Sequence, residues 1–295
     1  MASVNGKVAL ITGGANGIGE EVARRLHAKG ASLVLTDLDE GRLKEVAAKL
    51  GEDRVLTVVA DVRDLSAMEK AAGAGIERFG GIDIVMANAG IAVFGSVLNV
   101  DPAAFKTLLD VNALGVFHTV RACLPSVIER RGYVLVVASL AAYAPVPGSA
   151  SYSLAKAGVE HFANALRLEV AHHGVEVGSA HMSWIDTAMV REGKAELTSF
   201  RDAVESLPGP MGKTTSVQAC GEAFVKGIEG RKRQINCPGW VGLFRWLRPI
   251  LTTSWGERAL LKGLQERVTL MDEESAALGR STSARIEALE GPASH

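Results

Sequence analysis

Short runs of Val, Ile and Leu alternate with longer helical patterns over most of this chain, and this order limits the folds open to it. The runs lack a regular exchange of apolar with polar residues, which is typical of strands buried on both faces. Strands are predicted over 8–12, 32–36, 55–60, 82–87, 133–138 and 175–181, with a last one at QINCP. Helices are predicted over 17–29, 40–50, 65–79, 102–130 and 151–173. We therefore expect an α/β fold, a doubly wound parallel sheet with right-handed crossovers and helices on both faces.

The composition excludes several classes of function. The net charge of −1 over 295 residues gives no bulk field that would attract nucleic acid or an anionic membrane. Three scattered cysteines are too few for a disulfide framework or a zinc site, so we expect reduced thiols and no metal. The chain begins without a secretory signal pattern, and no apolar run reaches the ~18 residues that a membrane span needs. We therefore expect a cytoplasmic protein with no transmembrane segment.

A glycine-rich loop, TGGANGIG, directly follows the first predicted strand and opens the first predicted helix. Its glycines, Gly13, Gly17 and Gly19, would allow a tight turn, close approach of the backbone to a pyrophosphate and tight packing of the helix on the sheet. The helix N-terminus would present free N–H groups and a positive dipole end to the phosphates. A plain turn between strand and helix is the simpler alternative, but the strand–loop–helix context favours a dinucleotide site.

Asp37 ends the second predicted strand, 20 residues after Gly17. At about this offset an acidic residue meets the hydroxyls of an adenosine ribose, where a carboxylate accepts a hydrogen bond from a 2′-OH and repels a 2′-phosphate. Asn16 precedes Gly17, so the loop itself offers no cation. Both features favour NAD over NADP. The alternative is that Asp37 only caps the next helix, as Asp39 could also do.

Further motifs follow in an order typical of one family. After the loop and Asp37 come Asp61–Val62, Asn88–Ala89–Gly90, Asn112, Ser139, and Tyr152 with Lys156. Together they resemble the short-chain dehydrogenases/reductases over about residues 5–237. This resemblance implies a Rossmann-like fold and hydride exchange between a nicotinamide and a secondary alcohol or ketone. The family usually has Asn-Asn-Ala-Gly after its fourth strand, whereas Ala87 stands first here.

The resemblance also implies a set of cofactor contacts. Asp61 is expected to hydrogen-bond the adenine amine, and Val62 to lie along the adenine ring. Ile185 and Thr187 are expected to hold the nicotinamide carboxamide. The expected cofactor-binding residues are Gly13, Asn16, Gly17, Ile18, Gly19, Asp37, Leu38, Asp61, Val62, Asn88, Ala89, Gly90, Tyr152, Lys156, Ile185 and Thr187.

One stretch departs from the family pattern. The family commonly has Pro-Gly-x-Ile-x-Thr after its sixth strand, and this chain has Met182 and Ser183 in place of Pro-Gly. If the glycine served a positive φ, Ser183 would be strained or the turn reshaped. The proton-transfer residues lie elsewhere, so we expect retained activity with an altered hold on the cofactor.

Tyr152 and Lys156 lie four residues apart, so on a helix they share one face. On an exposed helix such a pair is usually a packed ring and a solvated charge, but Ser139, thirteen residues before Tyr152, favours a proton-transfer site. A free phenol has a pKa of about 10. A nearby ammonium and the positive nicotinamide would favour the phenolate, so Tyr152 would act as general base in oxidation and as general acid in reduction.

Ser139 and Asn112 complete the expected catalytic set. Ser139 ends the fifth predicted strand, where its hydroxyl could hydrogen-bond the substrate oxygen. Asn112 lies inside a long predicted helix, an unfavourable place for an asparagine. The resemblance implies that Asn112 holds a water that relays protons to Lys156, and that Lys156 also binds the nicotinamide ribose. A serine that only ends a strand and an asparagine that only kinks a helix are the alternatives.

The remaining chain is expected to select the substrate. One domain over 1–238 would include a mobile lid, at about 188–214, as the resemblance implies. An extension over 239–271 contains an amphipathic pattern at 240–251, and a polar tail over 272–295 is expected to be flexible. We favour a helix at 240–251 that covers the core or a neighbouring subunit. A wall for a large apolar substrate and a membrane-surface helix are alternatives, although the acidic residues after 271 argue against binding to anionic lipid.

Several functions are open at this point. The first is an NAD(H)-dependent oxidoreductase that acts on a bulky apolar alcohol or ketone, either hydroxysteroid-like, long-chain or aryl. The others are an NADP(H)-dependent ketone reductase and a non-catalytic protein that senses a dinucleotide or acts as a scaffold. The resemblance further implies a homodimer or homotetramer that pairs through the helices at about 102–130 and 151–173.

Overall fold

The computed structural model describes residues 3–261 and 263–282, and its centre is a seven-stranded parallel sheet. The strands are β1 (Val8–Thr12), β2 (Ser32–Asp37), β3 (Val55–Val59), β4 (Ile84–Ala87), β5 (Tyr133–Val137), β6 (Glu176–Met182) and β7 (Gln234–Cys237). Their order in the sheet is β3-β2-β1-β4-β5-β6-β7. The strand order reverses between β1 and β4, which confirms the predicted doubly wound sheet and opens a crevice at their carboxyl ends.

Helices pack on both faces of this sheet, as predicted. They are α1 (Gly17–Ala28), α2 (Glu40–Leu50), α3 (Leu65–Phe79), α4 (Pro102–Glu129), α5 (Ala150–Glu169), α6 (Ala188–Glu196), α7 (Thr198–Glu205), α8 (Val217–Glu229), α9 (Val241–Leu251), α10 (Ser254–Leu261) and α11 (Leu264–Leu278). Three of the starts are fixed by aspartates whose side chains accept hydrogen bonds from backbone N–H groups of the first turn. These N-caps are Asp39, Asp64 and Asp101.

Two apolar layers hold the helices to the sheet. Ile11 and Leu35 face one layer, which Phe224 of α8 completes, and all three side chains are fully buried. Leu10 and Val85 face the other layer, against helices α3 to α5. The strands carry apolar residues on both faces because both faces are covered, which explains the absence of apolar–polar alternation in the sequence.

Helix α4 contains a π turn over Asp110–Leu114, and Asn112 lies inside that turn. Within the part of the chain that the structure describes, α4 alone has the length and apolar composition of a membrane-spanning helix. Half of its apolar window is buried inside the protein. The core helix of a globular domain has the same properties, so α4 is weak evidence for a membrane span.

The C-terminal region differs from its prediction in two respects. Helix α11 continues to Leu278, and its Met271 is buried, so the expected flexible tail is wrong for residues 272–278. The rest of that tail, from 283, lies outside the described residues. In α9 the apolar residues do not share one buried face, because Val241 is fully buried whereas Leu243 and Ile250 are exposed. The tertiary contacts of α9, which the sequence pattern does not contain, decide which side faces inward.

Candidate active site

The glycine-rich loop forms the first wall of the crevice. Gly13 and Gly17 have φ values of +64° and +56°, the left-handed region that favours glycine. A Cβ on Gly19 would lie 2.1 Å from the Gly13 carbonyl oxygen, so no larger residue fits there. The N-cap of α1, Asn16, makes no side-chain capping hydrogen bond. The helix therefore presents unbonded N–H groups and its positive end to the crevice, as an anion site requires.

The loop is fixed by hydrogen bonds to the end of β4. The Thr12 hydroxyl accepts hydrogen bonds from the backbone N–H groups of Asn88 and Ala89, at 3.0 and 3.1 Å. The Asn88 side chain donates in return to the carbonyl oxygens of Thr12 and Gly13, at 2.9 and 3.2 Å. Asn88 thus positions the loop as well as lining the crevice, a role that its place in the sequence does not reveal.

Asp37 bonds to the glycine-rich loop and does not cap α2. Its carboxylate accepts hydrogen bonds from the N–H groups of Ala15, at 3.1 Å, and Leu38, at 2.9 Å. Asp39 is the residue that caps α2, because its side chain accepts a hydrogen bond from the Arg42 N–H. The alternative role considered for Asp37 is therefore wrong, and its carboxylate lies in the wall of the crevice.

The adenine end expected at Asp61 and Val62 contains two further partners. Both Asp61 oxygens accept hydrogen bonds from the Arg63 side chain, at 2.8–3.1 Å. The Val62 carbonyl oxygen lies 2.9 Å from His118 Nδ1. His118 and Arg63 were not among the predicted site residues. No motif marks His118, which the fold brings from α4 to the end of β3.

Three of the predicted catalytic side chains meet at the carboxyl end of β5. Tyr152 lies in the first turn of α5, and Lys156 follows one turn later, with its Nζ 5.5 Å from the centre of the Tyr152 ring. Lys156 Nζ donates a hydrogen bond of 2.9 Å to the Val137 carbonyl oxygen. The Ser139 hydroxyl accepts from the Ala141 N–H and interacts with the Tyr152 hydroxyl. Lys156 is therefore buried and Tyr152 is half-buried, and the exposed-surface alternative is wrong.

Burial disfavours the charged form of each member of this pair. Burial raises the pKa of Tyr152, and its hydrogen bond with Ser139 opposes the rise. Burial also lowers the pKa of Lys156 to about 8. Each charge compensates for the desolvation of the other, and the N-terminus of α5 adds a positive potential that favours a phenolate at Tyr152. Perturbed pKa values of this kind are common at functional sites.

The fourth predicted catalytic residue, Asn112, is fully buried behind Lys156. A Cβ on Gly90 would lie 3.2 Å from Asn112 Oδ1 and 3.6 Å from Lys156 Nζ, so both side chains border the space that this glycine leaves open. The Asn112 side chain bonds to the backbone of Ile91 in both directions. It therefore fixes the strand-end segment that lines the crevice beside Lys156.

His181 supports Ser139 from behind, a role that no sequence motif indicates. Its Nδ1 lies 3.2 Å from the Ser139 carbonyl oxygen, and its Nε2 lies 2.9 Å from the Ser179 hydroxyl. The ring stacks on Tyr143 at 4.3 Å between centroids. Burial lowers the pKa of His181 to about 4, so the imidazole is neutral at physiological pH.

The stretch that departs from the family pattern is not strained. Ser183 has no positive φ; among the described non-glycine residues only Arg131 and Arg231 do. Met182 continues β6 opposite Cys237, and the Ser183 N–H donates to the Cys237 carbonyl oxygen at 3.0 Å. A proline at 182 would supply no N–H to the sheet. Met182 and Ser183 thus continue the pairing with β7 without backbone strain.

The crevice collects nearly all of the predicted cofactor residues. Fifteen of the sixteen line one cleft, and the sixteenth, Gly19, lies behind the loop. The cleft also contains Phe94, Met189, Val190 and Glu192, which were not among the predicted site residues. Helices α9 and α10 contribute none of its described lining residues, so the alternative of a substrate wall at 240–251 is wrong.

A protein-family model confirms the resemblance to the short-chain dehydrogenases/reductases. The model, described as short chain dehydrogenase, matches residues 7–198. The chain belongs to the short-chain dehydrogenase family. This dehydrogenase is 35% identical over 212 residues to an uncharacterized oxidoreductase of Staphylococcus epidermidis, a match that covers 69% of this chain and 91% of that relative.

Solved structures of the same fold resemble this short-chain dehydrogenase over most of its length. One is 3-ketoacyl-(acyl-carrier-protein) reductase from Brucella melitensis, complexed with NADH. It is 29% identical with a TM-score of 0.71, and the match covers 79% of this chain and 97% of that one. Another is levodione reductase, which is 26% identical with a TM-score of 0.73 and coverages of 80% and 97%. The family model ends at residue 198, so the part of the dehydrogenase beyond α6 is the less typical one.

Proposed function

We propose that this dehydrogenase exchanges a hydride between NAD(H) and an apolar secondary alcohol or ketone, with Tyr152 as the general acid and base. The observation that carries the proposal is the cluster of half-buried Tyr152 with buried Lys156 and Ser139, in a cleft built around a glycine-rich loop. The structural relative from Brucella melitensis is complexed with NADH, which supports a nicotinamide cofactor here.

The residues present fit a dinucleotide. Gly13 and Gly17 leave the loop backbone open to a pyrophosphate, and the start of α1 supplies N–H groups to it. Two buried hydroxyls in the cleft wall, Thr36 Oγ1 and Ser183 Oγ, have no hydrogen-bond partner. Buried hydroxyls are rarely left unpaired, so these two favour a polar ligand in the cleft. Ser183 would face the nicotinamide end and Thr36 the adenosine end.

Asp37 supports NAD over NADP. Its carboxylate is fixed by the loop N–H of Ala15, so it cannot easily turn away from a 2′-phosphate. NADP(H) is the alternative, and Arg63 in the cleft wall is the observation in its favour. Arg63 is held by Asp61 through a two-pronged ion pair, which neutralises much of its charge.

The chemistry of the oxidation follows from the side chains in place. When bound, the nicotinamide takes the hydride from the carbinol carbon in oxidation and returns it in reduction. Tyr152, as phenolate, removes the hydroxyl proton of the alcohol, so that the oxygen forms a carbonyl as the C–H electrons leave. The Ser139 hydroxyl donates a hydrogen bond to the substrate oxygen, and the Lys156 ammonium stabilises the phenolate. In reduction Tyr152 returns the proton.

The cleft wall supports an apolar substrate. Phe94, Met189 and Val190 line it, and Glu192 is the one carboxylate that the described part of α6 adds to the lining. The helix at 240–251 no longer supports the proposal, because α9 lies away from the cleft. The segment 188–214 would act as the lid, and the cleft residues it supplies, Met189, Val190 and Glu192, are all on α6.

We further infer that copies of the chain pair through α4 and α5. These helices expose Phe117, Leu154 and Leu168, at 40%, 56% and 78%. Apolar side chains clustered on two long helices are suited to a symmetric interface. Light scattering should give a dimer or tetramer, and Leu154→Glu together with Leu168→Glu should shift it toward monomer. A cytoplasmic location remains a prediction.

The function is tested with purified protein and a panel of hydroxysteroids, aryl alcohols and long-chain alcohols. We expect NAD⁺ reduction with at least one class, and a loss of at least 10³-fold in kcat for Tyr152→Phe, because the phenol is the proton acceptor. Full activity of Tyr152→Phe contradicts the acid–base role. Normal NAD binding without turnover of any substrate would instead favour the non-catalytic sensor or scaffold.

A further inference from the structure

The last described part of the chain contacts three segments that surround the substrate end of the cleft. We call residues 264–282, which comprise α11 and the four residues after it, the C-terminal strap. Its contacts are with the loop 91–101 after β4, with Gly148 just before α5, and with helices α6 and α7. The family model ends at residue 198, so the strap is a feature of this chain beyond the matched region.

Glu274 caps α7 from across the molecule. The N-cap residue of α7 is Leu197, whose side chain makes no capping hydrogen bond. The Glu274 carboxylate takes its place, since it accepts hydrogen bonds of 3.0 Å from the N–H groups of both Thr198 and Ser199, as well as from their hydroxyls. A carboxylate at a helix N-terminus satisfies free N–H groups and interacts favourably with the helix dipole.

The strap is tied to the other segments as well. Asp272 accepts hydrogen bonds from the Ser96 N–H, at 2.7 Å, and from the Asn99 side chain, at 2.8 Å. Arg280 forms an ion pair of 3.0 Å with Glu196, at the end of α6. Asp272 thus holds the loop after β4, while Glu274 and Arg280 hold α7 and α6. The strap therefore joins the two sides of the cleft mouth.

Met271 packs into the apolar cluster behind the cleft wall. The Phe200 ring lies 4.9 Å from that of Phe94 and 5.4 Å from that of Trp184, and buried Met271 belongs to the same cluster. Met271 also fills the space above Gly148, where a Cβ would lie 2.4 Å from its sulfur. Phe94 lines the cleft, and Met271 and Phe200 pack in the cluster behind it. The Phe94 ring therefore has no room to move away from the cleft.

We propose that the strap determines which substrates the cleft accepts, with Glu274 and Met271 as positioning residues. Glu274 holds α7, which adjoins α6 in the chain, and Met271 fixes the aromatic wall behind Phe94. This inference rests on the proposed function, because it concerns the substrate of the same site. A wall closed by packed aromatic rings fits a compact substrate, such as an aryl or cyclic alcohol, and excludes a long chain.

The first test is amide hydrogen exchange of the full-length protein, which needs no turnover. Glu274→Ala should raise exchange in residues 198–206 at least tenfold, because α7 loses its cap. Glu273→Ala is the matched control, since Glu273 is exposed on the same helix. Equal protection of α7 in Glu274→Ala and the unchanged protein overturns the proposal. A thermal unfolding curve and NAD binding confirm that each variant is folded.

The second test is steady-state kinetics with matched aryl and long-chain ketones. Glu274→Ala should raise KM for the ketone at least fivefold while the KM for NADH changes less than twofold. Met271→Ala should raise the ratio of kcat/KM for long-chain over aryl ketones at least tenfold, and the nearly isosteric Met271→Leu should leave it unchanged. Met271→Val serves if Met271→Ala does not fold.

The two proposals fail in different ways. Turnover with an unchanged substrate ratio in both Met271→Ala and Met271→Val overturns the role of the strap and leaves the proposed function intact. Absence of turnover with every alcohol and ketone overturns the proposed function, and the substrate selection inferred here falls with it. The exchange experiment still decides whether Glu274 holds α7.

Discussion

The side-chain amide of Asn112 and the backbone of Ile91 form two hydrogen bonds in opposite directions, each 2.8 Å long. Asn112 lies in the π turn of α4, and Ile91 lies just beyond the end of β4. The pair therefore replaces the strand pairing that Ile91 lacks, and it holds Gly90 against Lys156 Nζ. An asparagine is unfavourable inside an isolated helix. It is needed here because its amide is both donor and acceptor, so one side chain satisfies the backbone N–H and the carbonyl oxygen of Ile91.

Replacement of Asn112 by Ala should destabilise the fold and reduce activity together. Two buried backbone groups of Ile91 would lose their partners, at a cost of about 1–3 kcal/mol each. Chemical unfolding measures the loss of stability, and kcat at saturating NAD measures the effect on Lys156. Unchanged stability in Asn112→Ala contradicts this role.

Gly19→Ala should abolish binding of the cofactor, because its Cβ would lie 2.1 Å from the Gly13 carbonyl oxygen. Gly73→Ala is the control, since no atom lies within 4 Å of a Cβ there. That change lies inside α3 and should stabilise the protein by about 0.5–1 kcal/mol. Titration of protein fluorescence with NADH and thermal unfolding distinguish the two variants.

Asp37→Ser should reverse part of the preference for NAD. Removal of the carboxylate eliminates repulsion of a 2′-phosphate, so the ratio of kcat/KM for NADP over NAD should rise at least tenfold, about 1.4 kcal/mol. Asp39→Ser keeps a good N-cap on α2 and should leave the ratio unchanged. Equal ratios in both variants would show that Asp37 does not face the ribose.

Lys156→Met should abolish activity without a matching loss of stability at pH 7. Burial lowers the pKa of Lys156 to about 8, so the unfolded chain binds its proton more readily between pH 8 and the usual value of 10.5. The free energy of unfolding due to this group therefore rises with pH across that range, and below pH 8 the buried charge is a cost. The difference in unfolding free energy between wild type and Lys156→Met, measured at pH 7 and pH 9, should shift in favour of wild type.

The strap should loosen in acid. Partial burial raises the pKa of Glu274, but hydrogen bonds from Ser199 and Thr198 outweigh it and place the pKa below the usual value of 4.5. The contribution of Glu274 to stability is therefore complete above about pH 4.5 and is lost as the pH falls through the lower pKa of the folded state. Amide exchange in 198–206 should rise on acidification in wild type and depend less on pH in Glu274→Ala, after correction for the intrinsic rate. Parallel pH profiles would contradict this expectation.

The sequence by itself determined the sheet, and it predicted the residues that line the cleft and the side chains that meet at its tyrosine–lysine pair. Strands buried on both faces and a glycine-rich loop between strand and helix are local patterns, and each follows from the few residues around it. Gly13 and Gly17 adopt positive φ values that other residues rarely adopt, so the glycines in the sequence are enough to predict the turn. The spacing of Tyr152 and Lys156 placed both on one face of a helix for the same reason.

Only the tertiary structure decided which side chains from distant segments support that site. His181 behind Ser139 and Glu274 at the start of α7 act across 42 and 76 residues of chain, and no periodicity connects such positions. The carboxylates after residue 271 led to the prediction of a polar, flexible tail. In the structure, however, Asp272 and Glu274 accept hydrogen bonds from backbone N–H groups of other segments. A run of charged residues on a helix has the same composition whether it faces water or caps another helix. Only the packing of α11 shows that its carboxylates bond to other segments.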